Sequence, residues 1–220
     1  MNLLADALVP YLLSNGIQYQ RNTPDMTAGS SIREANSGYY DFYLALHSNA
    51  APEGRYGEER GIIAFYYPGS QEGQRAAELF AENLREIYPL PNKVTIRATT
   101  SLGEVRQSRA PAVLLEIGYH DNWADATWVE THTDAIAREI AQALTEYFGL
   151  PFIYPMDPVE GEVSVNYGTL NLRSSPSPDG TILANMPDGA DVQVFGQWQG
   201  WYVVHYLNYV GYAAAAYIDI

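Results

Sequence analysis

Pro111-Ala112-Val113-Leu114-Leu115-Glu116-Ile117-Gly118-Tyr119 sets an unbroken apolar run directly before a single carboxylate. A strand covered on both faces reads as such a run, because neither side of its pleat meets water. The run predicts a buried strand over 112–115 that ends at Glu116. Upstream, Leu44-Ala45-Leu46 closes a second apolar run, 39–46, and delivers His47-Ser48-Asn49. In open α/β sheets functional groups gather beyond the carboxyl ends of the strands. An imidazole at 47 and a carboxylate at 116, on adjacent strand ends, would therefore share one cleft. Neutral imidazole is a common zinc ligand. A carboxylate held close to the metal, but not on it, can act as general base on metal-bound water. A histidine after a strand is also an ordinary loop residue, so the pair by itself leaves both readings open.

Working outward, Leu3, Leu4, Leu8, Tyr11, Leu12 and Leu13 recur at helical spacing, and Ser14-Asn15-Gly16 supplies a stop. Pro10 should kink this first helix, which has no visible N-cap. Residues 17–21 read as a short strand, and 30–34 as a capped helix. An apolar run covers 61–67, helical spacing covers 74–88, a strand is expected at 93–98, and a closing helix at 133–148. Strands alternating with helices predict an α/β domain over 1–150, with a mainly parallel twisted sheet and helices on both faces. Pro151, Pro155 and Pro158, with Asp157 and Glu160, mark 151–162 as a linker. Beyond it the runs are short (168–173, 182–186, 191–196, 201–206 and 209–213) and separated by turn residues. Short strands with no helix between them predict a small β-barrel over 163–220.

Composition narrows the chemistry. Of the 220 residues, 47% are hydrophobic and 17% charged, a globular composition. The formal net charge of −14 repels phosphate, which argues against nucleic acid and anionic lipid as partners. The chain has no cysteine, which excludes thiol nucleophiles, disulfides and thiolate metal sites. Neither a transmembrane run nor a signal peptide is visible. The 18 tyrosines suit half-wet surfaces that stack on sugars or peptides, and they suit ordinary strands equally well.

Three stretches of the last 60 or so residues resemble the bacterial SH3 domain: Leu170-Asn171-Leu172-Arg173-Ser174-Ser175-Pro176, Gly200-Trp201-Tyr202-Val203-Val204, and Val210-Gly211-Tyr212 with Ala216-Tyr217-Ile218. The resemblance implies binding to peptidoglycan and tethering of an enzyme to the wall. Trp201 and Tyr202 alternate faces on a strand, so one should point in and the other out. Trp201, Tyr202 and Tyr212 are candidate ligand contacts, and Tyr206, Tyr209 and Tyr212 could line a groove. The plainer alternative makes these aromatics core and rim only.

In the larger domain, Leu46-His47-Ser48-Asn49-Ala50 and 111–119 with Asn122 resemble two motifs of metal-dependent N-acetylmuramoyl-L-alanine amidases. Arg33 with Ala35-Asn36, the run at 61–67, and Arg106 before Pro111 agree with the same family order across 2–148. By that resemblance His47 is a zinc ligand and Glu116 the catalytic carboxylate. The reaction implied is zinc-assisted hydrolysis of the amide between N-acetylmuramic acid and L-alanine, with Asn49, Arg106 and His120 as possible substrate contacts. His120 has a plainer alternative, a loop histidine bonded to Asp121 or Asp125. A monomer in the cell wall or outside the cell is expected, with peptidoglycan as its partner. The family begins with a strand that ends in a second zinc-binding histidine, followed by a third ligand, a glutamate, at the start of the first helix. This sequence begins inside that helix, whose only acid is Asp6. The resemblance therefore implies either a natural protein extending upstream or an inactive wall-binding relative with an incomplete zinc site.

Overall fold

The apolar run at 112–117 becomes an interior strand. In the computed structural model, which describes residues 1–220, two compact units are formed: Met1–Ala7 with Arg21–Tyr147, and Leu8–Gln20 with Phe148–Ile220. The first holds a four-stranded sheet of β1 (Tyr43–Asn49), β2 (Ile62–Tyr66), β3 (Val94–Ala98) and β4 (Ala112–Tyr119), in the order β1-β4-β2-β3. Pairings β1–β4 and β2–β3 are parallel, and β2–β4 is antiparallel. The sheet is thus mixed, with two of its three pairings parallel. Val113, Leu115 and Ile117 are fully buried on one face of β4, and Ala112 and Leu114 are buried on the other. Each such aliphatic side chain removed from water contributes about 1.5–3 kcal/mol.

Helices cover both faces. α3 (Gln71–Ile87) lies against β2, β3 and β4, and buries Ala76, Ala77, Phe80, Ala81 and Leu84. It is capped by Ser70, whose hydroxyl accepts from Gly73 N. The four-residue α4 (Gly103–Arg106) packs on β4 and β2, with Val105 in a cluster with Ala45, Ala112 and Leu114. α2 (Ala28–Ser37) begins at a Thr27 capping box. α5 (Trp123–Thr131) and α6 (Thr133–Phe148) follow β4. The expected strand at 17–21 does not form; these residues are half-buried to exposed and join no sheet. The preceding helix, α1 (Asn2–Ser14), runs through Pro10 without a break.

The second unit is an antiparallel seven-stranded sheet. Its strands are β5 (Val159–Val163), β6 (Thr169–Arg173), β7 (Ile182–Pro187), β8 (Asp191–Trp198), β9 (Trp201–Tyr206), β10 (Tyr209–Ala214) and β11 (Ile218–Asp219). They run in the order β11-β5-β8-β9-β10-β6-β7. Residues 159–162, expected in the linker, pair with β8 instead. Val163, Leu172, Met186, Val194 and Val204 form the core on one side of the sheet. The other side of β9 and β10 is also covered. Val203, Val210 and Tyr212 pack with Ile153, Leu13, Leu150 and Trp201.

Asn15 locks that second contact. Its side chain exchanges two hydrogen bonds with Ile153, accepting at 2.6 Å from the amide and donating at 2.9 Å to the carbonyl. Its own carbonyl accepts the Tyr212 hydroxyl at 2.9 Å. Gly16, at φ +67°, meets the Tyr212 ring so closely that a Cβ would stand 2.6 Å from it, so only glycine fits.

Candidate functional site

Parallel pairing of β1 with β4 puts His47 directly opposite Glu116. Strand alternation then fixes their face. Tyr43, Ala45 and His47 share one side of β1, and Ala112, Leu114 and Glu116 share the same side of β4. That side carries α4, because Val105 packs with Ala45, Ala112 and Leu114. The imidazole and the carboxylate expected to meet do meet, at one rim and on one face of the sheet.

Sequence reasoning missed a third member. Glu104, on α4, receives His47 Nε2 at 3.1 Å on one carboxylate oxygen and the Tyr43 hydroxyl at 3.2 Å on the other. Its side chain is only 12% exposed. Burial pushes the Glu104 carboxyl upward, but the bonds from His47 and Tyr43 outweigh it and hold it below the usual range. The Glu104 bond raises His47, against a smaller opposing effect of burial. Glu116 is raised, chiefly by burial. Its Oε2 is buried with no hydrogen-bond partner. A buried carboxylate oxygen without a partner, raised by burial, makes Glu116 a candidate for proton transfer. The signal that could have found Glu104 was slight, since a single helical turn has no periodicity to read.

The rim beyond β1 and β4 carries Asn49 and His120. His120 N donates to the Asn49 carbonyl at 2.9 Å, and His120 Nδ1 contacts Ser48 Oγ at 3.3 Å. The plainer alternative for His120 is corrected in its partner, which is Ser48 and neither Asp121 nor Asp125. Asp125 has another task. Fully buried, it accepts from Arg60 Nε (2.8 Å), the Tyr88 hydroxyl (2.6 Å), Gly61 N (3.0 Å) and Tyr119 N (3.1 Å). Asp121 binds Ala51 N and Gly57 N, and so ties down the 50–60 loop beside the rim.

Arg106 follows Glu104 by two residues on α4. It lines a surface cavity of about 510 Å³ with Tyr67, Ser70, Arg109 and Ala112, at the start of β4. Among the aromatics of the second unit, Tyr212 is corrected. It is fully buried, its hydroxyl is committed to Asn15, and it packs the core rather than a groove. Trp201 and Tyr202 are both half-buried, each packed against a different core, because both sides of β9 are covered.

An α/β unit with a histidine–carboxylate pair on one sheet face, followed in the chain by a small antiparallel sheet, has the arrangement of a hydrolytic domain with an appended β module. The sequence pattern of the N-acetylmuramoyl-L-alanine amidase family matches residues 3–146, and that of the bacterial SH3 domain matches 168–219. The chain belongs to the N-acetylmuramoyl-L-alanine amidase family. This membership favours the hydrolase over the inactive wall-binding relative. Solved structures similar in fold include an N-acetylmuramoyl-L-alanine amidase from Clostridium difficile 630, 20% identical, with TM-score 0.59 over 67% of this chain and 81% of that one. An amidase of Nostoc punctiforme is 16% identical, with TM-score 0.58 over 67% and 81%. The catalytic domain of an amidase from Bacillus (Paenibacillus) polymyxa is 22% identical, with TM-score 0.55 over 67% and 83%. No curated protein sequence matches the chain.

The family is generally zinc-dependent. Catalytic zinc takes three protein ligands. This cluster offers His47 Nδ1, which has no protein partner, and the orphaned Glu116 Oε2. No group of three His, Asp or Glu side chains is placed to hold a metal ion. The residues furnish part of a zinc site and not a closed one.

Proposed function

We propose that the chain hydrolyses the amide between the lactyl group of N-acetylmuramic acid and L-alanine of peptidoglycan, with Glu116 as the catalytic carboxylate and His47 as a metal ligand. The observation that carries this reading is the pairing of His47 with a buried, unpartnered Glu116 on one sheet face. Zinc, when bound, would polarise the scissile carbonyl and acidify its water. The remaining work belongs to the protein. Glu116 takes the proton of the attacking water and returns it to the departing alanine nitrogen, releasing a free lactyl carboxylate and a free α-amine. Its proton affinity, raised chiefly by burial, favours both transfers. Asn49 and His120, at the rim, would make contacts next to the scissile bond. Arg106, two residues beyond Glu104 on α4, would contact the stem peptide from the neighbouring surface cavity.

Trp201 and Tyr202, half-buried on the barrel, are the proposed wall contacts. With Trp198 opposite Trp201, they give β8 and β9 a partly exposed aromatic edge suited to a peptide or sugar face. The domains imply a location in the cell wall or outside the cell. No helix is long and apolar enough to cross a membrane.

The test is release of new alanine α-amines from purified cell walls. Glu116→Gln should lower the rate by about 10²–10⁴-fold while leaving wall binding unchanged. Full activity in that variant would exclude Glu116 as the base. Chelation should abolish release, and zinc should restore it.

A further inference from the structure

His47 has two ring nitrogens, and the protein engages one of them. Nε2 lies 3.1 Å from Glu104 Oε2, while Nδ1 has no protein partner. An ionised carboxylate can only accept, so Nε2 must carry the hydrogen of that bond. The neutral ring then keeps its single lone pair on Nδ1. Glu104 is itself held in place. The Tyr43 hydroxyl binds its other oxygen at 3.2 Å, from the same face of the same strand as His47. Val105, 4% exposed, anchors α4 in the core beside it. Behind α4, the Asn36 side chain clamps the following loop, donating to Gln107 O at 2.8 Å and accepting from Arg109 N at 2.8 Å. An exposed ion pair is worth little and needs no such support. This one has a mostly buried acceptor with both oxygens used.

We infer that Glu104 is a positioning residue for the hydrolase: it fixes His47 in the Nε2–H tautomer and in one ring orientation, so that Nδ1 alone is free to ligate a divalent cation. The inference rests on the reading of His47 as a ligand. Carboxylates that bond the far nitrogen of a metal-binding histidine set its tautomer and basicity, and losing them costs about 10–100-fold in metal affinity. Tyr43 acts one step further out by orienting Glu104.

The experiment uses the full chain, wild type and Glu104→Ala, Glu104→Gln, Tyr43→Phe and His47→Ala. Ring-nitrogen NMR on histidine-labelled protein reads the tautomer without any metal, with His47 assigned by its loss in His47→Ala. Zinc affinity is measured separately by competition with a chromophoric chelator. Wild type should show His47 protonated at Nε2. Glu104→Ala should mix the tautomers and weaken zinc by about 10–100-fold. Glu104→Gln, which still offers an acceptor oxygen, should keep the tautomer and lose less affinity. Should Glu104→Ala fail to fold, Glu104→Gln and Tyr43→Phe carry the comparison, with Tyr43→Phe showing a partial shift. An Nδ1–H tautomer in wild type would overturn the inference, as would zinc binding within twofold of wild type in both Glu104 variants. If His47→Ala leaves zinc binding intact, the ligand reading fails instead, and the tautomer result still stands on its own.

Discussion

Single residues decide both the chemistry and the stability of its frame. Asp125 is fully buried, and its carboxylate accepts from Arg60, Tyr88 and two backbone amides. Removing one partner of a buried ion pair strands the other, at a cost of about 3–5 kcal/mol. Asp125→Ala should therefore lower unfolding stability by that amount in chemical denaturation, far more than an exposed Asp6→Ala. The His47–Glu104 pair predicts a pH dependence. His47 is raised above its ordinary 6.5, so its contribution is complete below that value and fades as pH climbs through the raised one. Glu104 is lowered below its ordinary 4.5, so its contribution is complete above that value and fades as pH falls through the lowered one. The thermal midpoint of Glu104→Gln should fall furthest behind wild type between pH 4.5 and 6.5, and the gap should narrow in alkali. A gap independent of pH would show that the pair contributes no charge interaction.

Elements were legible where they were long and periodic. The run at 112–117 and the helices at α3 and α6 show their faces in the spacing of their apolar residues. α5 escaped notice because Thr127, Val129 and Thr131 are β-branched and its apolar residues do not gather on one side. Its start was marked all the same. Asn122 caps it, accepting from Ala124 N and Asp125 N, and donates to Gly57 O at 2.6 Å. Asn122→Ala should cost about 1–2 kcal/mol and raise hydrogen exchange in both α5 and the 50–60 loop. α4 was too short to see, and Glu104 went with it. The first four residues of the strand at 159–163 read as linker because prolines precede them and Glu160 and Glu162 are acidic. Only pairing with β8 gives them a place. Gly118, at φ +70°, lies near the end of β4, and a Cβ there would press on Asp125 and Val129. Gly118→Ala should destabilise by more than about 1 kcal/mol in the same assay.

At the scale of the whole molecule, the second compact unit is larger than the barrel read from its sequence, since it takes in Leu8–Gln20. Tyr212→Phe leaves the Asn15 carbonyl buried without its donor, which should cost about 1–3 kcal/mol and speed hydrogen exchange along β9 and β10. Unchanged protection there would mean that the Asn15 contact does not stabilise the barrel. The apolar runs, the turn residues and the two sets of motifs were enough by themselves to establish an α/β hydrolase followed by a small barrel. They also put His47 and Glu116 at strand ends, while the parallel pairing of β1 with β4 is what sets them side by side. Glu104 beside His47 and the burial of Tyr212 were decided by tertiary structure alone. Each depends on which surfaces pack together across long stretches of chain, and periodicity carries no information about that.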